Sequence, residues 1–178
     1  MRGKKQPWIP ASTAATTRLG QTALFPEQLQ PEAPEGERRH LTVMFCDLVE
    51  STALSAQLDP EDLRDVLASY QTACREMVER FDGHVARYLG DGILVYFGYP
   101  LAHEDDARRA ASAALDVIAA IHGLNARLHA ERGVRLAVRI GIDTGLVVTG
   151  EVAGPEQHEP LAIFGETPNV AARLQTLA

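Results

Sequence analysis

The sequence has few cysteines, no long apolar segment and no excess of basic charge, and each shortage excludes a class of protein. Its two cysteines, Cys46 and Cys74, are too few and too far apart for a disulfide scaffold or a thiolate zinc site, which favours a reducing compartment. No stretch approaches the roughly 18–20 uninterrupted apolar residues of a membrane helix. The formal net charge is −7, so electrostatic attraction to nucleic acid or to an anionic membrane is not expected. We therefore predict a cytoplasmic protein that binds neither nucleic acid nor membrane.

Hydrophobic periodicity is missing from the first part of the chain. Residues 1–38 hold five of the ten prolines and show no sustained period of 2 or 3.6, which is typical of a flexible segment. This segment begins with basic residues but has no apolar run of about 7–15 residues, so it is not a secretory signal. We predict a flexible proline-rich leader over residues 1–38 and one folded domain over residues 39–178.

Apolar patterns in the folded part predict an ordered series of strands and helices. The predicted elements are a strand over 41–48, a brief helical segment after Thr52, a helix from Pro60 to about Phe81, a hairpin over 84–98, a helix from 104 to Gly133, a strand over 134–142, a turn over 143–145, a strand over 146–152, a loop over 154–160 and a helix through Leu177. The order matches the ferredoxin-like split βαβ arrangement (βαββαβ) with an additional strand and a C-terminal helix. We predict an α+β fold with an antiparallel or mixed sheet and helices on one face.

Two carboxylates are predicted to meet at one edge of this sheet. Asp47 ends the first strand, and Asp91 lies in the tight turn between the second and third strands. The first and third strands of a split βαβ sheet are neighbours, so both carboxylates could share hard divalent cations such as Mg²⁺ or Mn²⁺. Such cations neutralise a nucleoside triphosphate. Each residue also has a simpler interpretation, which is a hairpin turn for Asp91 and a cap near Ser51 for Asp47.

Asn169 and Arg173 lie four residues apart in the last predicted helix, so their side chains share one face. The planar donors of arginine match phosphate oxygens, and the guanidinium stays charged. A solvated helix face near a cap is the alternative.

Four segments of the sequence carry a resemblance to a known family. They are FCDLVEST at 45–52, LGDG at 89–92, RIGIDTG at 139–145 and GETPNVAAR at 165–173. In this order they resemble the catalytic domain of the class III nucleotide cyclases, the adenylyl and guanylyl cyclases, of bacterial cytosolic type. The resemblance covers about residues 38–178. The four motifs in this order are specific to the family, whereas each motif by itself is not.

The resemblance implies an enzyme that converts ATP or GTP to a 3′,5′-cyclic nucleotide and pyrophosphate in intracellular signal transduction. It implies two Mg²⁺ or Mn²⁺ ions per site, held by Asp47, Asp91 and the carbonyl of Leu48. Asn169 would orient the ribose, and Arg173 would stabilise charge that develops at the α-phosphate. The substrate-binding residues that it implies, around the phosphates or the purine, are Val49, Glu50, Ser51, Thr52, Arg87, Gly90 and Ala162.

The resemblance also implies partners for the domain. Family members form head-to-tail homodimers whose active sites lie at the interface. Asp47 and Asp91 would come from one subunit, and Asn169 and Arg173 from the other. Domains of this type are often joined to fused or separate regulatory domains.

Three residues depart from the family pattern. Arg87 stands where a lysine often contacts the purine, and Glu50 stands where glycine is usual beside the phosphates. Ala162 stands where adenylyl cyclases commonly have an aspartate or a threonine that reads the base, and an alanine side chain cannot form that hydrogen bond.

Family domains also continue with a further hairpin beyond the position of Ala178, which we expect this chain to lack. The alternatives are a weak or inactive cyclase-like regulatory or nucleotide-binding module and, less favoured, an interaction domain without nucleotide.

Overall fold

The computed structural model describes residues 36–153 and 158–178. Most of the predicted leader over 1–38 therefore lies outside the described residues, as does part of the predicted loop over 154–160. At the boundary, Glu37 and Arg38 already belong to the first strand. The strand thus begins two residues before the predicted domain limit.

Five strands and four helices make up the described part of the chain. The strands are β1 Glu37–Leu48, β2 His84–Leu89, β3 Gly92–Phe97, β4 Val138–Ala153 and β5 His158–Phe164. The helices are α1 Ser51–Gln57, α2 Pro60–Glu79, α3 Asp106–Arg132 and α4 Thr167–Leu177. The strands form one sheet in the order β2-β3-β1-β4-β5, and every neighbouring pair is antiparallel. This order confirms the predicted α+β fold with a split βαβ core, an additional strand and a C-terminal helix.

The main core lies between one face of the sheet and helices α2 and α3. Met44, Cys46 and Leu48 of β1 point into it because alternate residues of a strand face the same side. Helix α2 is fixed at its start by Asp59, whose carboxylate accepts the backbone N–H groups of Glu61 and Asp62. Other fully buried side chains of this core are Val66, Tyr70, Val78, Val95, Phe97, Val117 and Leu128. None of the described helices combines the length and apolarity that crossing a membrane requires.

Helix α4 lies on the opposite face of the sheet, which corrects the prediction that the helices share one face. Buried Ala171 of α4 packs with Val43, whose side chain points away from the α2–α3 core. The close approach depends on Gly141, since a Cβ there would collide with the backbone of Ala171 and Gln175. Strand β1 has apolar residues on both faces of the sheet, so both faces must be shielded from water. Helices α2 and α3 shield one face, and α4 shields the other.

The predicted turn over 143–145 is wrong, because β4 runs without interruption through these residues. Strand β1 is twelve residues long and pairs with β4 along its whole length, from Glu37 opposite Thr149 to Leu48 opposite Val138. Within the supposed turn, the hydroxyls of Thr42 and Thr144 lie 2.8 Å apart across the two strands. The long partner strand keeps this glycine-containing segment extended, against its local preference for a turn.

The additional strand consequently lies elsewhere than predicted. The segment 146–152 is the second half of β4, and the fifth strand is β5, which overlaps the predicted loop over 154–160. The predicted strand over 134–142 also starts later, at Val138, although Val134 and Leu136 before it are buried.

Candidate active site

The fold brings Asp47 and Asp91 to one end of the two central strands. Asp47 is the penultimate residue of β1, and the turn with Asp91 joins β2 to β3 next to it. Gly90 makes this tight turn with a φ of 70°, which glycine adopts without steric cost. An ideal Cβ on Gly92 would lie 3.4 Å from Asp47 Oδ1, so the turn contacts the aspartate closely.

The Asp47 carboxyl sits in surroundings that disfavour its charge. Burial raises the pKa of Asp47 above its ordinary value, and the nearby negative charge of Asp91 raises it further. A backbone hydrogen bond at Leu48 and the charge of Arg139 oppose the shift. A cation between the two carboxylates would relieve the repulsion between them.

Arg139 belongs to this site although its sequence pattern indicated no role for it. It pairs with Asp47 across β1 and β4, and its Nη2 lies 3.8 Å from Asp47 Oδ2. The signal that could have identified it is the register of the two strands, which sequence alone did not determine. The guanidinium brings one positive charge to an otherwise acidic edge.

The donor set fits a hard divalent cation. Carboxylate and carbonyl oxygens are the ligands that Mg²⁺ and Mn²⁺ prefer, and Asp47, Asp91 and the carbonyl of Leu48 provide them. In the described part of the chain no group of three or more His, Cys, Asp or Glu side chains could hold a metal ion. If a metal ion binds here, substrate oxygens or water would complete its coordination, as is usual where Mg²⁺ binds with a nucleotide.

The segment that follows β1 is shaped by Glu50. Its backbone has a φ of 55° and a ψ of 37°, a left-handed conformation that favours glycine. Its carbonyl accepts the N–H groups of Ala53 and Leu54 and thereby starts helix α1. The Val49 N–H donates to Ala137 O at 2.9 Å, so this group is already engaged rather than turned towards a phosphate.

Ser51 and Thr52 occupy the first turn of α1. The first N–H groups of any helix have no partner inside that helix and can point towards an acceptor. Ser51 is half-buried and Thr52 is exposed.

The two residues expected at the purine lie far apart within one chain. Arg87 is in β2 and Ala162 is in β5, which are the two edge strands of the sheet. Burial raises the pKa of Tyr96 to about 12, and the nearby charge of Arg87 opposes this shift. Ala162 is buried opposite Gly150.

Asn169 and Arg173 are both exposed on α4, one turn apart, on either side of the buried Ala171. Among the described residues, no hydrogen bond or ion pair joins either side chain to Asp47 or Asp91. A single chain therefore brings the two acidic residues together but does not add the amide and the guanidinium to them.

Comparison with known proteins places these features in a family. Residues 34–178 match the model of the adenylate and guanylate cyclase catalytic domain. Adenylate cyclase 1 of Rhizobium meliloti (strain 1021) is 31% identical over 138 residues, which cover 78% of this chain and 21% of that protein. Atrial natriuretic peptide receptor 2 of Rattus norvegicus is 30% identical over 172 residues, which cover 94% of this chain and 15% of the receptor. The chain thus spans only about a fifth of the length of such curated relatives.

Solved structures show the same likeness. The crystal structure of the guanylyl cyclase Cya2 has a TM-score of 0.74 and 30% identity, and the match covers 80% of this chain and 72% of that one. The adenylyl cyclase CyaB from P. aeruginosa has a TM-score of 0.76 and 29% identity, with 80% and 74% of the two chains covered. With the family model, the relatives and the fold in agreement, the chain belongs to the adenylate and guanylate cyclase catalytic domain family.

Proposed function

We propose that this chain is the catalytic domain of a cytoplasmic nucleotide cyclase that converts ATP or GTP to a 3′,5′-cyclic nucleotide and pyrophosphate. The observation that carries the proposal is the pair of neighbouring carboxylates, Asp47 and Asp91, at one end of the central strands of a cyclase fold. Burial raises the pKa of Asp47 and the charge of Asp91 raises it further, and repulsion between two neighbouring carboxylates is expected of a site that binds a cation.

Two Mg²⁺ or Mn²⁺ ions would be held by Asp47, Asp91 and the carbonyl of Leu48. When bound, such ions neutralise the triphosphate and polarise its phosphate oxygens. Without them, the two carboxylates would repel an anionic substrate. Arg139 offsets part of this negative charge, since it lies 3.8 Å from Asp47.

Other residues of the chain would position the nucleotide for the reaction. The reaction joins the ribose O3′ to the α-phosphorus, breaks the bond from that phosphorus to the pyrophosphate oxygen, and releases the O3′ proton. Arg173 would stabilise the charge that grows on the α-phosphate, and Asn169 would orient the ribose. Ser51, Thr52 and Gly90 would line the phosphates.

The active unit would be a head-to-tail homodimer. Asn169 and Arg173 are exposed on α4 and make no hydrogen bond or ion pair to Asp47 or Asp91 among the described residues. A second copy of the chain can present them to the first copy's carboxylates, and the two-fold operation repeats the site. Exposed apolar side chains suited to such an interface are Tyr88, Leu89, Phe164 and Leu174.

The residues expected near the purine favour neither adenine nor guanine. The matched proteins include an adenylyl and a guanylyl cyclase at nearly equal similarity. Ala162 offers no side-chain hydrogen bond to a purine, so the domain would discriminate weakly unless another residue contacts the base. Regulatory domains, fused or separate, would control it.

The test is an assay of cyclic nucleotide formed from ATP and from GTP with Mn²⁺. We expect product with the wild-type chain and none above background with Asp47→Asn. The matched control is Asp65→Asn, which removes one negative charge from an exposed position of α2. Equal turnover by Asp47→Asn and the wild type would contradict the metal assignment.

The second candidate is a nucleotide-binding module with little or no turnover. It is favoured by the carboxylate of Glu50, which lies beside the expected phosphate position in a conformation that suits glycine. This candidate predicts a rise in melting temperature with nucleotide and Mn²⁺ but no cyclic product.

A further inference from the structure

Two buried donors on the α4 side of the sheet lack a hydrogen-bond partner among the described residues. They are Arg139 Nε and Gln175 Nε2. A third such atom, Arg39 Nε, lies 2.8 Å from the carboxylate of Glu37 and is accounted for by that ion pair. Buried donors without an acceptor are costly, so native structures rarely keep them.

The path of α4 along β4 brings these two side chains into the same neighbourhood. A Cβ on Gly145 would meet Thr167 at the start of α4, and a Cβ on Gly141 would meet the backbone of Gln175 near its end. Helix α4 therefore runs antiparallel to β4. Beyond Gly141, towards the start of β4, the next residue on the same face of the strand is Arg139. The end of α4, with Gln175, therefore lies near Arg139.

We propose that Gln175 is a positioning residue whose side-chain amide oxygen accepts the Arg139 Nε–H. The nitrogen and oxygen of a glutamine amide exchange places when the group turns by half a rotation, and the two orientations fit the same space. Turning the amide puts an acceptor where the unpartnered nitrogen now lies. The Arg139 Nε–H then donates one hydrogen bond to the amide oxygen of Gln175. The two terminal nitrogens of the guanidinium remain available to interact with Asp47.

The purpose of this role rests on the proposed function, because Gln175 would act through the site that we propose binds metal. Arg139 Nη2 lies 3.8 Å from Asp47 Oδ2, and arginine donates in a fixed planar fork. Fixing the Nε end consequently fixes the direction of the other two nitrogens. Gln175 would thus hold one positive charge against the carboxylate that is expected to bind metal, without touching the substrate itself.

The experiment measures hydrogen exchange of the Arg139 Nε–H by two-dimensional ¹H–¹⁵N NMR on the full chain, with the resonance assigned by its loss in Arg139→Lys. Gln175→Met keeps the length of the side chain and removes the acceptor, so the exchange should become about tenfold faster, as the loss of one net hydrogen bond implies. Gln175→Glu keeps an acceptor oxygen and should restore slow exchange. The control is Thr176→Val, at the next and exposed position of α4, which should exchange as the wild type does.

Equal exchange in the wild type and Gln175→Met would overturn the proposal, and so would a failure of Gln175→Glu to restore protection. Melting temperatures of all variants show whether α4 is still docked. A parallel assay should show a lower kcat for Gln175→Met and recovery in Gln175→Glu. If the wild type forms no cyclic nucleotide yet the exchange follows this pattern, the proposed function fails and the positioning role stands.

Discussion

Asp47 lies in surroundings that disfavour the charge of its carboxylate. Its pKa is raised first by burial and then by the charge of Asp91. A carboxyl whose pKa is higher in the folded than in the unfolded state favours folding when it is protonated. That contribution is present at low pH and is lost as the pH rises through the raised pKa. Wherever Asp47 is ionised, its charge therefore costs stability, and a cation bound beside it would offset that cost.

From this balance we predict that Asp47→Asn stabilises the metal-free domain while it removes metal binding. The melting temperature at neutral pH in a chelator should rise by about 1–2 °C, a small effect because solvent screens this partly exposed carboxylate. Added Mn²⁺ should raise the melting temperature of the wild type and leave Asp47→Asn unchanged. Thermal denaturation checks both effects, and Asp65→Asn should behave as the wild type. A lower melting temperature for metal-free Asp47→Asn would contradict the account.

Glu50 is the second residue that departs from its local preference. Its φ of 55° is unfavourable for a residue with a Cβ, and it lies two residues after the end of β1 that we propose binds metal. The conformation persists because the Glu50 carbonyl begins α1 by accepting two N–H groups.

We predict that Glu50→Gly stabilises the domain by about 1 kcal/mol, because glycine adopts positive φ without steric cost. Glu50→Gln keeps the strain and should leave stability unchanged. Urea denaturation measures both variants. Asp82, with a φ of 57°, gives a comparison, although Asp82→Gly also removes an ion pair with Arg109. A destabilised Glu50→Gly would show that the side chain makes a contact that outweighs the strain.

Among the elements, α4 depends on two glycines of β4 for its position. It packs against β4 at Gly141 and Gly145, where any larger residue would meet the helix backbone or Thr167. Glycine in a strand interior normally weakens a strand. Here the long pairing of β1 with β4 maintains the strand, and the glycines allow the helix to approach.

We predict that Gly141→Ala displaces α4 and destabilises the domain by about 1–3 kcal/mol, the usual cost of overpacking. Gly150→Ala is the matched control on the same strand, since the nearest atom to its added Cβ would be the Cα of Gly36 at 3.9 Å. Chemical denaturation gives the change in stability. Limited proteolysis shows whether cleavage in α4 becomes faster. Equal stability of the two variants would mean that α4 does not need this close contact.

At the scale of the whole molecule, the two halves of the proposed site lie on separate parts of one chain. Asp47 and Asp91 meet at one end of the central strands, whereas Asn169 and Arg173 are exposed on α4. A head-to-tail pair of chains would combine them, and each dimer would then hold two equivalent sites.

We predict that two inactive variants restore activity when they are mixed. Asp47→Asn lacks one half of the site, and Arg173→Ala lacks the other. In an equal mixture half of the dimers are mixed, and each mixed dimer holds one intact site, so about a quarter of the wild-type activity should return. The assay is cyclic nucleotide formation by each variant alone and by the refolded mixture. Absence of recovery in mixtures that do form dimers would show that each site is built from one chain.

Local sequence patterns were enough to predict the element types of the core and the two carboxylates at one end of the central strands. Local signals were sufficient there, because Asp59 caps α2, Gly90 turns the hairpin and a short apolar run marks β1. Sequence similarity likewise indicated the family before any contact was known. The roles of the individual site residues remain predictions.

The course of β4, the sheet face that α4 covers and the side chains next to Asp47 depend on contacts between distant parts of the chain. The segment 143–145 has the local pattern of a turn, yet β1 pairs with it and keeps it extended. Arg139 faces Asp47 because of strand register, which a one-residue shift would reverse. These features depend on partners distant in sequence, so no local pattern of residues can specify them, whereas the packing of whole elements does.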